Sequence, residues 1–104
     1  IISIADVKID INAYSVYKND IKIELTALEY KILLTLFQNK GIVLTRDQIL
    51  SSIWDVNEEF VNDNTLTVYI KRIREKIEDD INNPHIVITV RGVGYKAGEA
   101  HDTV

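Results

Sequence analysis

Asn64-Thr65-Leu66-Thr67-Val68-Tyr69-Ile70-Lys71-Arg72-Ile73-Arg74-Glu75-Lys76-Ile77-Glu78, followed beyond Asn82-Asn83-Pro84 by Thr89-Val90-Arg91-Gly92-Val93-Gly94-Tyr95, decides how this chain folds. In the first segment Leu66, Ile70, Ile73 and Ile77 fall at i, i+4, i+7 and i+11, which places them on one buried stripe of a helix. Lys71, Arg72, Arg74 and Lys76 lie opposite or beside that stripe. The Asn-Asn-Pro break then ends the helical period. After it, Ile86, Ile88 and Val90 alternate with Val87, Thr89 and Arg91, as in a strand that enters the Gly92-Val93-Gly94 turn and returns at Tyr95.

Outward from this pair, the N-terminal part alternates with period two. Val7, Ile9 and Ile11 are interleaved with Lys8, Asp10 and Asn12, and Ile21, Ile23 and Leu25 with Lys22 and Glu24, around the turn-like Lys18-Asn19-Asp20. This predicts a small antiparallel sheet, with Ile2 to Ile4 as a possible further strand. Thr26-Ala27-Leu28-Glu29 is a capping-box pattern, and Leu28, Ile32, Leu33, Leu36 and Phe37 then follow at helical spacing until Asn39-Lys40-Gly41. A second box, Thr45-Arg46-Asp47-Gln48, opens a shorter helix carrying Ile49, Leu50, Ile53 and Trp54. Four acids, Asp55, Glu58, Glu59 and Asp63, then follow without period and predict a loop, with Asn62 or Asp63 as cap of the third helix.

Composition bounds the rest. With 104 residues, 46% of them hydrophobic, the chain suits one domain with one core. It contains no cysteine, so neither disulfides nor thiolate metal sites hold the fold, and a reducing, cytoplasmic setting fits. No apolar run approaches the ~20 residues that span a bilayer, and the N-terminus has no signal-peptide pattern. His85 follows Pro84 in a turn and His101 lies near the end, a spacing that offers no metal site; no cofactor is expected. The net charge of −4 opposes nucleic-acid binding if it is spread evenly. It is not: residues 64–77 carry four bases and one acid, net +3, and residues 86–97 carry Arg91 and Lys96 without an acid, net +2, which leaves −9 for the remainder. A basic edge on an acidic body docks in one orientation.

Advancing 100° per residue from Leu66 turns Asn64, Val68, Lys71, Arg72 and Glu75 away from the core. Such a helix fits a DNA major groove: Lys71 and Arg72 can donate to guanine, Asn64 can pair with adenine, and Val68 can meet a thymine methyl. The bland alternative is a solvated helix face. Thr65 is a helix-start residue or a phosphate contact. Thr89 and Arg91 share one strand face, and Arg91 beside Gly92 and Gly94 suits a narrow minor groove or stands as a solvated residue on a plain hairpin. Tyr95 is a core ring or a phosphate donor, and Trp54 a packing residue or a phosphate contact through its indole N–H. The acidic loop offers no His, Ser or Cys to a carboxylate catalyst, so no catalytic residue and no enzyme are expected. Glu58, Glu59 and Phe60 read as a protein-docking loop or as a solvated one.

Taken in order, Leu25-Thr26-x-x-Glu29, Gly41-Ile42-Val43-Leu44-Thr45-Arg46, Ile53-Trp54, Val68 to Ile77 and Thr89 to Tyr95 resemble the successive motifs of the OmpR/PhoB-type winged-helix effector domain of bacterial two-component response regulators. The resemblance implies an α+β fold, a winged helix-turn-helix with an N-terminal antiparallel four-stranded sheet, three helices and a C-terminal β-hairpin wing. The domain would span 1–98, with a tail at 99–104. The third helix would be the recognition helix. Asn64, Val68, Lys71 and Arg72 take base-facing or nearby roles, Thr65, Arg74, Thr89 and Tyr95 phosphate roles, Arg91 with Gly92 the minor-groove tip, and Trp54 a backbone contact. The loop 55–62, with Glu58, Glu59 and Phe60, corresponds to the segment that touches RNA polymerase.

Two positions depart from the family pattern, Asn64 where Arg is frequent and Thr67 where Asp is usual. Ile1 begins almost directly on strand-like sequence, so the chain is expected to be a fragment from which the receiver domain, the partner of a sensor kinase, is missing. The resemblance implies a monomer in isolation that pairs head to tail on direct-repeat double-stranded DNA, and the sequence offers no long heptad seam for a symmetric coiled-coil dimer. A winged-helix module that only docks proteins is the alternative. It would have no reason to keep Lys71, Arg72 and Arg91 together.

Overall fold

A computed structural model describes residues 1–53 and 63–98, with the side chains of 63 and 64 left out of the description. Four antiparallel strands come first, β1 (Ile2–Ile4), β2 (Val7–Asp10), β3 (Ser15–Lys18) and β4 (Ile21–Ile23), in the order β1-β2-β3-β4. Register follows the alternation in the sequence: Ile9 faces Val16 and Val7 faces Lys18, with Val7, Ile9 and Val16 buried and Lys8 exposed. Asn19 and Asp20 both take positive φ between the paired Lys18 and Ile21, the geometry of a two-residue primed hairpin turn. The alternation fails at the end of the sheet. Ile21 is 71% exposed, because β4 is an edge strand that nothing covers at that position, and Ile23 and Leu25 only pack against the margin of the core.

Helix α1 (Ala27–Gln38) starts where the capping box predicts: Thr26 Oγ1 accepts from the Glu29 amide, and Glu29 accepts from the Thr26 amide. Helix α2 (Arg46–Ser52) starts with the same reciprocal pair between Thr45 and Gln48. Helix α3 (Asp63–Ile77) buries Leu66, Ile70, Ile73 and Ile77 against α1 and α2. Whether Asn62 caps α3 lies outside the described residues. The final hairpin, β6 (Val87–Val90) and β7 (Gly94–Ala97), is one strand richer than the sequence reading: β5 (Leu44–Thr45) adds to β7, giving the order β5-β7-β6. Leu44 pairs with Tyr95 and Thr45 with Gly94, so the residue that caps α2 also anchors that helix to the wing.

Candidate nucleic-acid interface

α3 presents two different flanks of polar residues. Val68, Lys71, Arg72 and Glu75 are exposed on the face away from the core, as the helical angles predict, and Thr67 is exposed on its flank. Arg72 lies over the Tyr69 ring at 5.4 Å, one turn back along the helix. Thr65 is half-buried in the first turn. Asn64 belongs to α3, but its side chain lies outside the described residues, as do Trp54, Glu58, Glu59 and Phe60.

The other two bases of the helix turn into the fold. Lys76 donates to Glu29 Oε1 at 2.7 Å and to the Glu24 carbonyl at 3.0 Å, tying the end of α3 to the start of α1. Burial alone would raise the Glu29 pKa, but the bonds from Lys76 and the Thr26 amide outweigh it and hold the carboxyl below its ordinary range. Lys76 is therefore a fold-holding residue, and the basic surface of α3 is smaller than its sequence charge indicates.

Arg74 bridges α3 and the hairpin. Its Nε and Nη2 donate to the Val87 carbonyl at 3.0 and 2.8 Å, and Nη2 also donates to Thr89 Oγ1 at 2.7 Å. The guanidinium lies 5.7 Å from the Tyr95 ring centre. Burial pulls the Arg74 pKa down, with Tyr95 and Glu78 acting the other way, and guanidinium remains a cation at neutral pH.

A residue with no expected contact role completes this junction. Arg46, half-buried at the first position of α2, donates through Nη1 to the Tyr95 hydroxyl at 2.8 Å and through Nη2 to Thr67 Oγ1 at 2.6 Å, and lies 5.5 Å from the Tyr95 ring centre. Tyr95 is thus a buried ring between two guanidinium groups, with a hydroxyl that accepts from one of them. Three of the four expected phosphate residues, Arg74, Thr89 and Tyr95, meet Arg46 at one place. Local sequence could not have found Arg46 for this role, because its partners stand 21 and 49 residues away.

The hairpin tip has the expected shape, and its two glycines divide the work. Val93 donates to the Val90 carbonyl at 3.0 Å, and Gly92 at φ +76° occupies the third position of that turn, so Arg91 and Val93 stand exposed beside it. Gly94 has a different task. A Cβ there would lie 2.9 Å from Thr45 Cα and overlap the Leu44 carbonyl, so only glycine lets β5 join β7. Thr89, Val90, Gly92, Val93 and Gly94 line a shallow cleft with Arg46 and Tyr95. Among the described residues no cluster of His, Cys, Asp or Glu could hold a metal ion, and no helix is long and apolar enough to cross a membrane.

Comparison with known proteins gives a consistent neighbourhood. The sequence family described as "Transcriptional regulatory protein, C terminal" matches residues 20–97. The chain is 43% identical over 97 residues to the DNA-binding response regulator MtrA of Mycolicibacterium paratuberculosis, covering 93% of this chain and 43% of that protein. It superposes on DrrB, an OmpR/PhoB homologue of Thermotoga maritima, with a TM-score of 0.83 and 38% identity, covering 92% of this chain and 43% of DrrB. The DNA-binding domain of Klebsiella pneumoniae RstA, solved in complex with the RstA box, matches with a TM-score of 0.80 and 27% identity over 93% of this chain and 95% of that one. The chain spans less than half the length of MtrA and of DrrB.

Proposed function

The chain belongs to the family of transcriptional regulatory protein C-terminal domains, the OmpR/PhoB-type effector domains of response regulators, and on that premise we propose that it binds a specific double-stranded DNA sequence to regulate transcription. The observation that carries the reading is the junction of α3 and the wing. Arg46, Arg74, Thr89 and Tyr95 converge there, between an exposed helix face bearing Val68, Lys71 and Arg72 and an exposed hairpin tip bearing Arg91. The relative RstA domain was solved with its DNA box, which supports the same use of this fold.

In this proposal α3 enters the major groove. Lys71 and Arg72 donate to base edges, Val68 meets a thymine methyl, and Asn64 pairs with a base near the helix start. Thr65, Arg74, Thr89 and Tyr95 take phosphate oxygens, Arg46 joins them, and Trp54 adds a backbone contact. The Tyr95 hydroxyl accepts from Arg46, so its own proton is available to a phosphate. Arg91 and Gly92 at the tip reach the adjacent minor groove, where groove width and A·T content set the potential.

The partners we propose are those the family resemblance implies. A receiver domain and its sensor kinase control the domain, two copies bind direct repeats head to tail, and Glu58, Glu59 and Phe60 of loop 55–62 meet RNA polymerase. The setting is the cytoplasm, and the domain spans 1–98. Selection from random duplexes, followed by titration of the chain against the selected site and single-base variants at fixed salt, tests the reading. Enrichment of one motif supports it, whereas equal binding to all duplexes, or none, overturns it and favours a protein-docking module.

A further inference from the structure

We propose that Glu78 is a positioning residue for DNA reading: with Arg74 it clamps the first residue of the wing to the recognition helix, so that helix and wing meet the duplex at one fixed spacing. The proposal rests on the reading of α3 and the wing as the DNA-contacting elements.

Glu78 directly follows α3, and its amide donates to the Arg74 carbonyl at 2.9 Å, so the two side chains stand one turn apart on the same face. Glu78 is buried, at 9% exposure. A buried carboxylate is tolerated only when its oxygens are well bonded. Oε1 accepts from the amides of His85 at 2.9 Å and Ile86 at 3.2 Å, and Oε2 from those of Ile86 at 3.0 Å and Val87 at 2.7 Å.

Arg74 binds the opposite pole of the same residue through the Val87 carbonyl. Both main-chain polar groups of Val87 are thereby taken by side chains of one helix face. β6 lies at the edge of its sheet, where such groups otherwise face solvent. A hairpin of four-residue strands is weak by itself. Held by a cation on its carbonyl and an anion on its amide, β6 cannot slide or swing relative to α3 without breaking charge-assisted bonds. The wing tip begins three residues beyond Thr89's neighbour Ile88, so the clamp at Val87 sets where Arg91 stands.

Glu78→Gln keeps the volume but turns an amide donor toward backbone donors. Three proteins, the parent, Glu78→Gln and Ile9→Val as a remote destabilised control, are compared well below their melting temperatures. Amide exchange at Ile86 and Val87 is read in the free protein, and affinity is read on duplexes whose wing flank is A·T-rich or G·C-rich. In Glu78→Gln, exchange at the two amides is expected to rise about ten- to a hundredfold, the equivalent of a hydrogen bond to a charged acceptor. The flank preference is expected to vanish, while discrimination at bases facing α3 persists. Should Glu78→Gln not fold, replacing Val87 by its α-hydroxy acid deletes a single donor, and the same loss of flank preference is expected. Unchanged exchange overturns the clamp. Raised exchange with an intact flank preference, or equal loss in Ile9→Val, overturns the positioning role. A parent that binds no duplex overturns the proposed function instead, and the exchange measurement still decides whether the clamp exists.

Discussion

Arg72 and Arg74 sit two positions apart on α3, yet truncating each to alanine should produce opposite profiles of stability and specificity. Arg74→Ala removes the partner of the Val87 carbonyl, which belongs to a fully buried residue, and leaving such an acceptor unbonded costs about 1–3 kcal/mol. Loss of the Tyr95 ring contact adds roughly 0.5–1 kcal/mol. The bond to exposed Thr89 adds little, since water replaces it. Burying the guanidinium also has a cost that the mutant recovers, as its lowered pKa indicates, so the net loss should be about 2 kcal/mol. For a domain of this size that lowers Tm by about 10 °C. Arg72 is exposed and rests over Tyr69, so Arg72→Ala should change stability by no more than about 0.5 kcal/mol. On DNA the ranking changes character. Arg72→Ala should lose about 1–3 kcal/mol of discrimination at one base pair, while Arg74→Ala weakens binding alike across variants of the bases facing α3 and, by loosening the hold on Val87, flattens the flank preference of the wing. Urea unfolding and anisotropy titrations against a panel of single-base operator variants check both halves. An Arg74→Ala protein as stable as the parent, or a uniform loss across the panel for Arg72→Ala, would refute the reasoning.

Arg91→Ala should lower affinity and flatten the preference for A·T-rich over G·C-rich flanks; parent-like relative affinities on the two flanks would place the tip outside the groove. Gly94→Ala should destabilise the domain by about 1–3 kcal/mol, because its Cβ must displace β5, and unchanged urea midpoints would contradict that packing. Glu29→Gln should cost about 2 kcal/mol at pH 7, discounted for the partly exposed Lys76. The Glu29 pKa is depressed in the fold, so its contribution is full above the unfolded value of about 4.3 and disappears as pH falls through the lower folded value; a gap between parent and mutant that stays constant on acidification would reject this account. Replacing Glu58, Glu59 and Phe60 by Ser should leave operator affinity within about 1 kcal/mol and reduce transcription in a reconstituted assay, and full transcription from the folded triple mutant would remove the polymerase contact.

What could be read from the sequence was whatever depends on near neighbours. Both capping boxes form, since each needs residues only three apart. The stripe Leu66, Ile70, Ile73 and Ile77 is buried because a helix repeats every 3.6 residues whatever it packs on. Strand β5 was not legible: two residues carry no period, and they pair only because Gly94, far along the chain, leaves room for them. Alternation placed Ile21 inward, but period two says which residues share a face, and only the tertiary fold says whether that face is covered. The flank position of Arg74 and Lys76 was legible for the first reason, and their engagement by the fold was not for the second. Helical angle separates them from Lys71 and Arg72 by tens of degrees, whereas their partners Val87 and Glu29 come from elements that the helix cannot specify.

That division of cations bears on how an acidic domain would hold DNA at all. Of the four bases on α3, Arg74 and Lys76 are engaged by the fold, so the outward charge of the helix rests on Lys71 and Arg72, with Glu75 exposed beside them. Arg46 and Arg74 remain positive, but they are held half-buried at the junction with the wing, where a phosphate meets them only when α3 and the hairpin are both seated. Outside residues 64–77 and 86–97 the chain carries −9, Arg46 included, and repels the duplex. Few phosphates are then neutralised in any orientation but one, so non-specific affinity is low and its salt dependence shallow. An interface built this way has little reserve from charge alone. Adding a second domain on an adjacent repeat raises the effective concentration of each for its own half-site. In the proposed function, head-to-tail pairing is therefore the means by which this charge distribution reaches useful occupancy.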